Sequence, residues 1–139
     1  LANRFCHLDW EVDTKLWCEG MITGFPTPPI PRLPQNWEDK IPLWRSNVVS
    51  FIQKSPDLLK KIPESESERG RAHPTPRTWD MAATVAAAGS SIGMKEIMAT
   101  LVSGCIGSGA AIEFLNWIDE QPWSDGNVGT WGASYIRAT

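Results

Sequence analysis

Pro74-Thr75-Pro76-Arg77-Thr78-Trp79-Asp80-Met81-Ala82-Ala83-Thr84-Val85-Ala86-Ala87 is the stretch that decides how this chain folds. Pro76 suits a first helical turn, where its missing N–H and fixed φ cost nothing. Trp79, Ala82, Ala83, Ala86 and Ala87 then fall on helical faces, and the run of alanines lets a neighbouring helix approach closely. Gly89 and Gly93 mark its end.

Working outward, the flanking sequence is also helical. Lys95 to Cys105 carries Ile97, Met98, Leu101 and Val102 inward. Ser108 to Asp119 repeats Ala111, Ile112, Leu115 and Ile118 along one face, with Ser108 as the cap. Upstream, Pro42 begins a helix whose Trp44, Val48, Phe51 and Ile52 recur at helical spacing, and Pro56 starts a shorter one stopped by Pro63. Glu64 to Arg71 has almost no apolar residue and reads as a solvated, mobile loop. The prediction for residues 37–120 is a small bundle of four or five short helices.

The ends differ. Phe5-Cys6-His7-Leu8-Asp9-Trp10 is apolar and β-prone, and reads as a short buried strand. Asp13 caps a helix bearing Leu16, Trp17 and Met21. Pro26, Pro28, Pro29, Pro31 and Pro34 remove donors and fix φ, so residues 25–36 form an extended surface linker. Residues 121–139, with Trp123, Gly126, Gly129, Trp131 and Gly132, show no period and read as an irregular tail outside the bundle. Leu1 opens the chain without an initiator methionine or lead-in element, as the back half of a larger protein would.

Composition excludes several classes. A formal charge of −3 argues against non-specific nucleic-acid binding. No apolar run approaches the ~20 residues of a membrane span. Cys6, Cys18 and Cys105 have neither the even count of a disulfide framework nor close metal-ligand spacing, which fits a reducing, cytoplasmic chain. A zinc site from Cys6, His7, Cys18 and His73 is disfavoured for the same reason. Eight tryptophans against one tyrosine is an unusual aromatic balance, suited to half-buried seams.

Leu-Ala-Asn-Arg-Phe-Cys-His-Leu-Asp-Trp at 1–10, the proline run Gly24 to Pro34, and Gly-Arg-Ala-His-Pro-Thr-Pro-Arg-Thr-Trp-Asp-Met-Ala at 70–82 resemble the C-terminal portion of a MoxR-like AAA+ ATPase. The resemblance spans Leu1 to about Glu120. It implies a mainly α fold: residues 1–24 as the remnant last strand and helix of an AAA+ α/β core, residues 25–36 as a linker, and residues 37–120 as a helical lid.

It also implies roles. Arg4 matches the catalytic arginine finger reaching a neighbouring subunit's nucleotide, although Asn3 stands where the family usually has aspartate. Arg77 matches the sensor 2 arginine on the γ-phosphate, and so binds cofactor. The cofactors implied are ATP and Mg2+, and the partners are a hexameric homo-oligomeric ring and a von Willebrand A-type protein. The function implied is ATP hydrolysis driving chaperone-like remodelling. Arginine's fixed fork suits both phosphate contacts. The chain carries no G-x-x-x-x-G-K-[ST] and no acidic strand end, so by itself it is expected to be inactive as an ATPase. The alternative is a non-enzymatic helical interaction module that holds a partner through exposed tryptophans.

Overall fold

The computed structural model describes residues 1–121, and among them every regular element is helical. The α-helices are α1 (Thr14–Thr23), α2 (Ile41–Lys54), α3 (Glu66–Arg69), α4 (Pro76–Ser91), α5 (Lys95–Ile106) and α6 (Ser108–Glu120). Single 3-10 turns precede or join them at Ala2–Arg4, Trp37–Lys40 and Pro56–Leu58. The mainly helical prediction holds. None of these helices is long and apolar enough to cross a membrane.

α4 is the central helix, packed on both α2 and α5, with α6 closing against α5 and α2. Its start is fixed locally. Thr75 and Thr78 form a reciprocal capping box, the Thr78 N–H donating to Thr75 Oγ1 (3.1 Å) and the Thr75 N–H to Thr78 Oγ1 (2.8 Å), and Pro76 follows in the first turn. Both threonines are buried. Thr75→Val keeps the shape and removes the cap, and is expected to cost about 1–2 kcal/mol in thermal or urea unfolding.

The alanines do what their size suggests. Ala82, Ala83, Ala86 and Ala87 are essentially inaccessible, and α4 approaches α5 so closely that a Cβ on Gly89 would lie 2.8 Å from Met98 Cβ. Gly89 lies in the last turn of α4, which ends at Ser91, and Gly93 follows with φ of +67°. The other side of the core is aromatic. Phe51 lies 5.7 Å from Trp79, 5.3 Å from Phe114 and 5.6 Å from Trp117, and Trp79 meets Phe114 edge-on at 5.4 Å. Such pairs add roughly 0.5–1.5 kcal/mol each beyond area burial. The buried indoles are satisfied: Trp44 Nε1 donates to Ser90 Oγ (3.1 Å) and Trp79 Nε1 to the Leu58 carbonyl (2.7 Å). Asn47, buried on α2, leaves its amide nitrogen without a partner, a cost of roughly 1–3 kcal/mol.

Several sequence expectations need correction. Phe5 to Trp10 forms no strand: it runs as an extended strap whose backbone bond to the bundle is from the His7 N–H to the Gly104 carbonyl (2.7 Å), with Phe5, Leu8 and Trp10 exposed. A strand needs a neighbouring strand to complete its ladder, and the described residues supply a helix end instead. The AAA+ core remnant expected over residues 1–24 is thus not seen as a strand–helix pair. Asp13 caps α1 as predicted, its carboxylate accepting from the Leu16 N–H, but Leu16, Trp17 and Met21 remain exposed.

Trp10 and Trp17 are likewise exposed, whereas Trp44 belongs to the bundle's own core. The Pro56 segment is a single turn, and the charged loop contains α3, capped by Ser65. The α6 cap position is Gly107, with Ser108 the first helical residue. The face of α6 that packs inward is Ala110, Ala111, Phe114 and Ile118, while Ile112 is exposed. The expected tail over 121–139 lies, apart from Gln121, outside the described residues.

Candidate functional site

Arg4 ends the 3-10 turn Ala2–Arg4, and Arg77 is the second residue of α4. Both side chains are exposed. The fold brings the two segments together: Arg77 Nη1 donates to Asn3 Oδ1 at 3.1 Å. This contact joins the chain's first turn to the start of α4. Asp80, a possible partner for Arg77, instead takes Arg45 Nε at 3.0 Å, an exposed pair worth under about 1 kcal/mol.

Two concavities lie elsewhere. A cleft of about 640 Å³ is lined by His7 and Asp9 of the strap, Arg71, Thr100 and Ser103 of α5, and Ser108 at the start of α6. It is polar and carries charges of both signs. A second cleft of about 500 Å³ lies beneath Lys61 and Glu64, and reaches His73, Pro74 and Glu113. Neither Arg4 nor Arg77 lines either cleft.

The histidines hold backbone. His7 Nε2 donates to the Ala2 carbonyl (2.9 Å), which curls the first turn back on the strap. His73 Nδ1 donates to the Arg71 carbonyl (2.9 Å) at the approach to α4. The zinc set considered above is not assembled, for no group of three or more His, Cys, Asp or Glu side chains among the described residues is placed to hold a metal.

Two thiols do come together. Cys6 Sγ donates to the Leu101 carbonyl of α5 (3.4 Å), one turn before Cys105, and the two thiols are neighbours. Burial first, and then the neighbouring Cys6 thiol, push the Cys105 thiol up to about 12, so it stays protonated at neutral pH. Cys18 stands exposed on α1.

Against known proteins, residues 82–138, less than half of the chain, match the family model for X-Pro dipeptidyl-peptidase (S15 family). The matched segment starts inside α4, takes in α5 and α6, and continues past Gln121. No curated protein and no solved structure matches. The family match overturns the resemblance to a MoxR-like AAA+ ATPase. ATP hydrolysis, nucleotide binding and chaperone-like remodelling fall with it. The finger and sensor 2 roles of Arg4 and Arg77 lose the family that implied them, and the contact formed by Arg77 is with Asn3.

The match also exposes a residue that the sequence reading passed over. Gly132-Ala133-Ser134-Tyr135-Ile136 lies within it and fits the first three positions of the G-x-S-x-G nucleophile motif, departing at the last, where Ile136 replaces glycine. The signal was a serine two residues after a glycine in a glycine-rich stretch. It was hidden because that stretch has no helical period.

Proposed function

We propose that residues 82–139 carry the nucleophile of a serine hydrolase that cleaves acyl bonds of the peptide class, in the manner of X-Pro dipeptidyl-peptidases, with Ser134 as that nucleophile. The observation that carries this reading is the family match over residues 82–138 together with Gly132-Ala133-Ser134 inside it.

A serine hydroxyl is a weak nucleophile until a base takes its proton as the oxygen attacks the acyl carbonyl. The acyl-serine then formed is released by water, with the same base activating the water. In the chain order of that motif's fold the acid and the histidine follow the serine. His7 and His73 precede Ser134, and each already donates to a backbone carbonyl. Neither is assigned as the base, which this reading places after Ser134 in the polypeptide. α6 ends at Glu120, and Ser134 lies beyond it in the sequence.

The test is covalent labelling of the protein translated from the whole reading frame that contains this sequence. A fluorophosphonate is expected to add once, on the peptide containing Ser134, and Ser134→Ala is expected to lose the label. Labelling that is absent, or that survives Ser134→Ala unchanged, would exclude Ser134 as the nucleophile.

A further inference from the structure

The strap that carries Cys6 meets α5 at a point built for close approach. The His7 N–H donates to the Gly104 carbonyl at 2.7 Å. That carbonyl belongs to the last turn of α5, where acceptors lack helical partners. A Cβ on Gly104 would lie 2.5 Å from the His7 carbonyl oxygen and 2.7 Å from Cys6 Sγ, so only glycine lets the strap lie this close. Cys6 Sγ is held over the same turn by the Leu101 carbonyl at 3.4 Å and against Gly104, the residue next to Cys105, whose thiol is its neighbour. The two cysteines stand far apart in the sequence and side by side in the fold. Cys6 is partly accessible and Cys105 is buried, so reagents meet Cys6 first.

We propose that Cys6 and Cys105 form a redox clamp, in which oxidation joins them by a disulfide that locks the strap to α5 and fixes the wall of the 640 Å³ cleft formed by His7, Leu8 and Asp9. The oxidant is a low-molecular-weight disulfide. The Cys6 thiolate attacks one of its sulfurs and displaces one thiolate, which leaves as thiol by taking up the Cys6 proton. Cys105 then gives up its proton and attacks Cys6 Sγ, and the second small thiolate leaves and accepts that proton. Two protein thiols are oxidised to one disulfide, and one small disulfide is reduced to two thiols. The order follows from access, and the second step is the slower because Cys105 is buried. This inference is independent of the hydrolase proposal.

Oxidised glutathione, added to the 139-residue chain, is the probe. The expected product has lost two hydrogens, yields a Cys6–Cys105 linked peptide on digestion without reductant, and leaves Cys18 open to alkylation. Exchange of the His7 amide is expected to slow at least about tenfold as strap opening is suppressed. Closing so long a loop is expected to raise Tm by about 10 °C, reversed by dithiothreitol. Cys18→Ser keeps all of these responses, and Cys6→Ser, which leaves the buried Cys105 in place, loses them. A stable glutathione adduct on Cys6, a link through Cys18, or a Cys6–Cys105 link that leaves His7 exchange unchanged would each overturn the clamp.

Discussion

Trp79→Ala is expected to lower unfolding stability by about 4–5 kcal/mol, read as a fall in urea midpoint. Trp79 is 2% exposed, packs against Phe51 and edge-on to Phe114, and ties the Leu58 carbonyl to α4 through its indole N–H. Its removal leaves a cavity between α2, α4 and α6 and strands a buried acceptor, and the two costs act together. A domain of this size has only about 5–15 kcal/mol in total, so the variant sits near the edge of folding at 37 °C. Trp79→Phe separates the contributions. It keeps most of the ring contacts and loses the hydrogen bond, for about 1–2 kcal/mol. Equal losses in the two variants would show that the Leu58 tether, and not ring packing, dominates.

Gly107→Ala is expected to cost about 2–4 kcal/mol. Gly107 joins α5 to α6 with φ of +88° and ψ of 154°, a conformation that residues with a Cβ rarely adopt. The added methyl would also lie 2.9 Å from the Ala72 carbonyl oxygen, which is backbone and cannot swing aside. Relief requires moving either the α5–α6 corner or the segment leading to α4, and both border the cleft lined by Arg71 and Ser108. Gly109→Ala is the control: space around that position is open, so it is expected to be neutral or slightly stabilising. A Gly107→Ala protein as stable as its parent in urea would show that the corner is not constrained as described.

Much of the bundle was legible locally. Proline in a first turn located α2 and α4, and apolar residues at helical spacing located α2, α4, α5 and α6, because each signal acts within one or two turns. Facing was less legible. Ile112 and Leu16 are apolar and periodic yet exposed, while Phe114 was passed over and is wholly buried. Periodicity says that a helix has a face, and the neighbouring helices say which one is covered. The strap shows the same limit more sharply. An apolar, β-prone run becomes a strand only beside another strand, and Phe5 to Trp10 meets the end of α5.

Ser134 was missed for the opposite reason, since its signal is a short chemical motif with no periodicity at all, and a family comparison was needed to give it weight. The arginines were conspicuous by type, but their positions, exposed and linked through Asn3, follow from how the first turn docks on α4.

The sequence by itself determined that the described bundle is helical, where its central helix begins, and that the alanines of that helix would let a neighbour lie close. These are properties of neighbouring residues and of side-chain size. Only the tertiary structure decided that Trp44 and Trp79 enter the core while Trp10 and Trp17 do not, and that Cys6 meets Cys105. Contacts between segments far apart in sequence depend on which faces the whole bundle leaves available, and no local pattern encodes that choice.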